Sequence, residues 1–230
     1  MAEQNEREIA AEEAARLAQV EESREALVAL VDDLAGNSRR KRQLAARVIG
    51  LLAAREPDML TDHIPDLIDA LYRPEAQTRW EILDALTLLT PVNAKEIGGA
   101  YEGAEDALFD ELSATLRLSA FRFLTTWGAT DRGRSKKVWP LIDEAIQCFH
   151  GDLEYRDMLS CLHEFASGKI EGGVAAELAG RLRFDAENGK GSYLKARSSE
   201  IYDMLVKRFK LEKPQKRARV VSKDDDVDEE

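Results

Sequence analysis

The sequence predicts an all-α protein, a right-handed α-α superhelix (solenoid) of about five helix pairs. Ala, Leu, Glu and Arg are abundant while aromatic residues make up only 7%, a balance that favours helices over strands. One apolar-patterned segment also recurs five times at spacings of 37 to 39 residues, a period typical of repeat proteins. Apolar residues make up 44% of the chain, which is ample for a core.

Each copy of the recurring segment carries a cation in its second place. Mostly apolar or small residues follow that cation at three, four, six, seven and ten places, which is the spacing of one helix face. The segments are therefore predicted to be the second helices of the five pairs, covered by neighbouring units. The five cations are Arg42, Arg79, Arg117, Arg156 and Lys195.

Partner helices with the same apolar pattern are predicted between these segments, the weakest one within 97–112. The repeat domain then covers 23–210, with units near 24–55, 58–90, 94–128, 135–167 and 170–207. Pro65 and Pro140 are expected early in their helices, where a missing amide hydrogen costs least. Residues 128–137 are expected to form a basic loop between two units.

The two ends of the chain differ from the repeats. Residues 1–22, rich in Ala and Glu, are predicted to be a polar N-terminal cap, helical or disordered. Past residue 210 the apolar pattern stops, so 211–230 is predicted to be a disordered tail, basic and then acidic.

This organisation resembles the HEAT/armadillo superfamily, whose units combine an apolar first helix, often with an early proline, and a second helix that opens on Arg or Lys. The resemblance covers about residues 24–206 and implies that the second helices line the inner face. It also implies an acidic residue in the turn within each unit that pairs with a neighbouring cation. The residues six places before the cations are Gly36, Arg73, Glu111, His150 and Gly189. We therefore expect the acidic half of this ladder to be mostly absent.

Charge and hydropathy narrow the range of partners. The net charge is −11, and residues 25–206 carry about −8 of it, which disfavours a surface that coats nucleic acid. The apolar runs are too short to cross a bilayer, and no leader pattern is present, so we expect a cytoplasmic protein without membrane contact. Cys148 and Cys161 are expected to be free thiols.

A row of polar side chains is predicted on the inner face. Trp80 and Asp84 lie four residues apart and hence on one helix face, and aromatic residues and Arg are the usual anchors of interfaces. The same row also fits ion pairs between repeats, with Trp80 half buried. The predicted binding residues are Gln43, Arg47, Trp80, Asp84 and Arg122.

A Trp with a carboxylate on the inner helices is similar to the site of HEAT-like DNA glycosylases, in which aromatic side chains cradle a damaged nucleotide and an Asp stabilises the developing cation. Only Trp80 and Asp84 match, because a second cradle residue would have to be Trp127 or Trp139, which the pattern does not place.

Two Cys–His pairs suggest half-sites for zinc: Cys148 with His150, and Cys161 with His163. Residues two apart on a helix point in nearly opposite directions, so no metal site is expected. No catalytic residues and no cofactor are predicted.

The sequence therefore predicts a noncatalytic scaffold or adaptor that binds an unidentified protein on its concave face. The alternative is a nucleic-acid-binding protein that uses the basic tail and a second basic cluster. That cluster consists of Arg132, Arg134, Lys136 and Lys137.

Overall fold

A computed structural model describes residues 2–212 of the chain. These residues form eleven α-helices and no β-strand, so the predicted all-α fold is confirmed. Two 3₁₀ segments, Pro57–His63 and Glu96–Ala100, lead directly into the fourth and sixth helices. The helices are α1 (Ala2–Glu22), α2 (Arg24–Ala35), α3 (Arg39–Arg55), α4 (Ile64–Ala70), α5 (Ala76–Asn93), α6 (Tyr101–Leu108), α7 (Ala114–Gly128), α8 (Arg132–Phe149), α9 (Tyr155–Ser167), α10 (Gly172–Asn188) and α11 (Ser192–Phe209).

Helices α2 to α11 form five consecutive pairs. The second helices of the pairs, α3, α5, α7, α9 and α11, pack side by side in chain order. They make one continuous layer, and we call its outward surface the second-helix face. The predicted solenoid of about five helix pairs is confirmed. Most of the predicted tail, 213–230, lies outside the described residues.

Helices α2, α3, α7, α8 and α10 begin at side-chain caps, and the helices bury the faces that the sequence periodicity marks. Ser38 and Ser113 each accept a hydrogen bond from a backbone N–H in the first turn of α3 and α7, which satisfies donors that a helix start leaves free. In α9, Met158, Leu162 and Phe165 are fully buried. Burying side chains of this size contributes roughly 1.5–3 kcal/mol each, so stacking of the pairs stabilises the solenoid.

Helix α8 begins earlier than the sequence indicated, and the predicted basic loop over 128–137 is wrong. The Asp131 carboxylate accepts hydrogen bonds from the backbone N–H groups of Gly133 and Arg134, so the helix starts at Arg132. This cap outweighs the unfavourable position of several cations at a helix N-terminus. Pro140 consequently lies inside α8 and not in its first turn.

A ladder of side-chain contacts joins neighbouring second helices. Its cations are three of the recurring arginines, and each pairs with an acidic residue at or near the start of the next second helix. The pairs are Arg42 with Glu75, Arg79 with Asp110 at 3.8 Å, and Arg117 with Glu154. The next step replaces the carboxylate with an aromatic ring, because the Arg156 guanidinium lies 4.1 Å from the ring centroid of Tyr193.

The expectation that the acidic half of this ladder is mostly absent was therefore wrong. Glu75 is four residues before the next cation, Asp110 seven and Glu154 two, so no fixed spacing identifies them. The turns before α5, α7 and α9 are each five residues long, but Glu75 and Glu154 end their turns whereas Asp110 is the second residue of its turn. Arg42 also donates to the backbone oxygen of Gly36 at 2.6 Å, which ties the ladder to the turn before α3.

Helix α1 packs against α2 and α3 and closes the N-terminal end of the stack. Leu17 and Val20 of this helix are buried. Glu12, Glu13 and Glu21 pair with arginines of α3, and Arg16 pairs with Asp33 of α2. Among the helices that the structure describes, none is both long and apolar enough to cross a membrane.

Candidate binding site

The structure brings three of the five predicted site residues into one row across the second-helix face. Arg47 lies on α3, Asp84 on α5 and Arg122 on α7, and these helices are direct neighbours. Nη1 of Arg122 donates to Oδ1 of Asp84 at 2.8 Å. Gln43 and Trp80 lie one turn before Arg47 and Asp84 and are half-buried.

Arg47 pairs not with Asp84 but with Glu13 of α1. The sequence left open whether residues 1–22 form a helix, so this contact was not predicted. Because α1 lies beside α3, a carboxylate is added to the N-terminal end of the row. The row then alternates in sign from Glu13 to Arg47, Asp84 and Arg122.

A cavity of about 300 Å³ opens between α1, α3 and α5. Arg47 and Asp84 line it, whereas Gln43, Trp80 and Arg122 do not. The other polar residues that line the cavity are Glu13 and Glu81. Its apolar rim is formed by Leu51 and Leu88, whose exposed fractions of 40% and 48% are high for leucine.

Glu81 is a site residue that the sequence analysis missed. Burial is the main cause that raises the pKa of its carboxyl group, and the nearby carboxylates of Asp84 and Glu13 act in the same direction. A hydrogen bond with Trp80 and the charge of Arg47 oppose this rise. In residues 2–212 no Lys or Arg nitrogen lies within 4.0 Å of this carboxylate, so Glu81 has no ion pair there.

Only one sequence signal points to Glu81. Oε2 of Glu81 lies 3.6 Å from the place where a Cβ would stand on Gly50. A glycine inside a helical pattern often marks a close approach by another group. The identity of that group depends on how α5 packs against α3, which periodicity does not give.

Further along the row, the thiol of Cys161 is buried. Burial raises the pKa of this thiol to about 11, so it is protonated at neutral pH and a weak nucleophile. Beyond it, Nε2 of His163 lies 3.4 Å from the carboxylate of Glu200. The C-terminal part of the row thus consists of internally paired groups.

The structure does not bring together the residues suggested for a zinc site or a nucleotide cradle. His150 is hydrogen-bonded to Asp185 at 2.8 Å, and Cys148 is exposed on α8. Trp127 and Trp139 are buried, and their indole N–H groups donate to the backbone of Ala94 and the carboxylate of Glu177. Neither indole lines the cavity beside Asp84, so neither is the second cradle residue that a glycosylase-like site would need.

The residues of the predicted basic cluster lie in two different places. The Arg134 guanidinium lies 5.5 Å from the ring centroid of Trp127, and Nζ of Lys137 lies 4.0 Å from that of Tyr101. Arg132 instead lines a separate cavity of about 510 Å³ together with Lys169 and Arg208. We call this second site the basic groove.

Comparisons with known proteins extend to the fold only. Two engineered proteins of known crystal structure each overlay on this chain with a TM-score of 0.65, at 16% and 14% sequence identity. The overlays cover 82% and 85% of this chain and 84% of each engineered chain. An archaeal HEAT-like repeats protein from Thermococcus onnurineus NA1 has a TM-score of 0.47 at 11% identity, over 86% of this chain and 93% of that one. No protein-family model and no curated protein sequence matches the chain.

The likeness to the two engineered proteins shows a shared fold and nothing finer. The stacked helix pairs, joined by a ladder of arginines, make that fold a HEAT/armadillo-like helical repeat, which confirms the resemblance found in the sequence.

Proposed function

We propose that this protein is a noncatalytic scaffold or adaptor that binds a protein partner on its second-helix face. One observation supports this most directly: the cavity between α1, α3 and α5 combines the exposed side chains of Leu51 and Leu88 with the carboxylate of Glu81, which has no ion pair in the described residues. Exposed apolar side chains with polar groups beside them are typical of protein interaction sites.

The predicted site residues keep distinct roles in this proposal. Arg47 and Asp84 line the cavity and would meet the partner directly. Trp80 lowers the pKa of the Glu81 carboxyl group, and Arg122 donates a hydrogen bond to Asp84. Gln43, one turn before Arg47, would contact the partner at the edge of the cavity.

The chemistry of the row supports a binding role over catalysis. Asp84 is neutralised by Arg122, and the Cys161 thiol is protonated at neutral pH because of its burial. A nucleophile or general base would need an activating partner and a pKa near the working pH. The pKa of the Cys161 thiol is far above neutral pH.

Affinity capture from a lysate of the source cells tests the proposal with three forms of the full chain. The first is the wild type, the second carries Leu51→Ser and Leu88→Ser, and the third carries Val92→Ser and Leu112→Ser as a control. The control residues are exposed leucine and valine side chains outside the cavity. A protein captured by the wild type and the control but lost from the cavity variant supports the proposal. The same captured proteins in all three forms would contradict it.

Nucleic-acid binding is a second candidate, favoured by the basic groove. Arg132, Lys169 and Arg208 line that groove, and the only acidic lining residue, Asp131, already accepts two backbone hydrogen bonds. Retention of a single-stranded oligonucleotide at about 50 mM salt that falls steeply by about 200 mM would support this function. If the oligonucleotide is not retained at the lower salt concentration, nucleic-acid binding is excluded.

A further inference from the structure

The charges that line the cavity between α1, α3 and α5 do not balance. Three carboxylates, those of Glu13, Glu81 and Asp84, face one guanidinium, that of Arg47. Glu13 is paired with Arg47, and Asp84 with Arg122 from outside the cavity. The carboxylate of Glu81 remains without a cation in the described residues, and a half-buried carboxylate is stabilised when a positive charge comes close.

The apolar rim of the cavity adds a second requirement. Leu51 and Leu88 occupy equivalent places on the neighbouring helices α3 and α5, 37 residues apart, and both are substantially exposed. A ligand that covers them needs an aliphatic portion beside its charged end. Lys and Arg side chains have this composition, with a methylene stem and a cationic tip.

The cavity is large enough to take one long side chain. Its volume of about 300 Å³ lies at the lower end of the range for small-molecule sites. It is also open to one side, so a side chain can enter from a polypeptide that lies on the second-helix face.

We infer that the cavity binds a lysine or arginine side chain of the partner protein, with its cationic end at the Glu81 carboxylate and its stem between Leu51 and Leu88. This inference rests on the proposed function and names the chemistry of the partner. Apolar residues of the partner beside this side chain add to the cover that the stem gives the two leucines.

Binding of a cation has a consequence for pH dependence. Glu81 faces Glu13 from α1, Arg47 from α3 and Asp84 on its own helix, and burial holds the pKa of its carboxyl group above the ordinary value of 4.5. A bound cation favours the ionised carboxylate, so binding releases a proton. The affinity therefore rises as the pH rises through the raised pKa of Glu81.

Three fluorescently labelled helical peptides serve as probes for the full-length protein. The first places Leu and Lys one helical turn apart, the second replaces each Leu with Ala, and the third replaces each Lys with Glu. Fluorescence anisotropy at pH 7 should show saturable binding of the Leu/Lys peptide, weaker binding of the Ala/Lys peptide and none of the Leu/Glu peptide.

The decisive comparison uses two isosteric variants that change the net charge equally. Glu81→Gln should weaken Leu/Lys binding by about tenfold or more, since a charge-assisted hydrogen bond is lost, and should flatten the dependence of affinity on pH between 5 and 7. Glu144→Gln, at an exposed position of α8, should change neither the affinity nor its dependence on pH. Equal affinities of the two variants would show general attraction to an acidic protein and would overturn the inference.

The outcomes also separate this inference from the proposed function. If the Leu/Lys peptide does not bind the wild type, while capture of a protein still depends on Leu51 and Leu88, the scaffold function stands and the cationic ligand is wrong. If neither the peptide nor any captured protein depends on the cavity, both are wrong.

Discussion

At the residue scale, the arginine ladder joins neighbouring repeats by side-chain pairs. The side chains of Arg42 and Glu75 are only 11% and 7% exposed, and the Arg42 guanidinium reaches both Glu75 and the backbone of Gly36. A buried ion pair adds little net stability over an apolar pair, but removal of one partner leaves a charge unpaired.

Glu75→Gln should therefore lower the free energy of unfolding by about 2–4 kcal/mol. Urea denaturation followed by circular dichroism measures this change. The double variant Arg42→Met/Glu75→Leu is the control and should recover most of the loss, because no buried charge remains. A double variant less stable than Glu75→Gln would show that the pair contributes more than its desolvation costs.

Two glutamates are expected to move stability in opposite directions with pH. The hydrogen bond from Arg42 is the main cause that lowers the pKa of Glu75 below its ordinary 4.5, so its stabilisation is present above pH 4.5 and is lost as the pH falls through the lowered value. Burial raises the pKa of Glu81, so ionisation of Glu81 costs stability as the pH rises above 4.5.

Thermal melts of Glu81→Gln between pH 4 and 8 test the second effect. The variant should gain stability over the wild type above pH 5, by less than about 1 kcal/mol because water still screens this carboxylate. The gain should disappear near pH 4. A gain that is constant across this range would show that the ionisation of Glu81 is not its cause.

At the element scale, close approach between helices limits which residues can stand at their crossings. A Cβ on Gly128, the last residue of α7, would lie 2.5 Å from Cγ2 of Val138 and 3.1 Å from Cε2 of Phe165. Gly128 thus allows α7 to contact α8 and α9 at one point. A Cβ on Gly180, in the middle of α10, would have no atom of a neighbouring element within 4 Å.

Gly128→Ala should destabilise the protein by about 1–3 kcal/mol, because the added methyl group forces a well-packed crossing apart. Gly180→Ala, the matched control, should instead stabilise it by about 0.5–1 kcal/mol through better helix propensity. Differential scanning calorimetry of both variants measures the loss and the gain of stability. Stabilisation by Gly128→Ala would mean that the crossing of α7 with α8 and α9 is looser than described.

At the scale of the whole molecule, each repeat contacts mainly its neighbours, as in solenoids in general. Helix α1 therefore depends mainly on α2 and α3, and the cavity depends on α1 for one wall. Leu17 anchors this helix, with 2% of its surface exposed.

Leu17→Asp should detach α1 without unfolding the rest of the stack. Hydrogen exchange followed by mass spectrometry should show loss of protection over residues 2–22 and little change over α7 to α9. Ala11→Asp, at an exposed position of α1, is the control and should leave the exchange pattern unchanged. Faster exchange along the entire chain would contradict the local dependence of α1.

The sequence by itself determined the helices and their arrangement in pairs. Apolar residues spaced three and four apart mark the face of each helix that must be buried. The same pattern returns in every unit at a period of 37 to 39 residues. Local hydrogen bonds, such as those of Ser38 and Ser113, fix the helix starts within a few residues. The predicted row of Arg47, Asp84 and Arg122 follows from the same periodicity.

Only the tertiary structure decided which partners meet across helices. Glu75 and Glu154 end their five-residue turns and Asp110 is the second residue of its turn, yet each of the three pairs with a ladder cation. The packing of α1 supplies Glu13 and leaves Glu81 half-buried without a cation in the described residues. The physical reason is that periodicity reports the face a residue occupies on its own helix, whereas burial and charge pairing depend on the neighbour that covers this face.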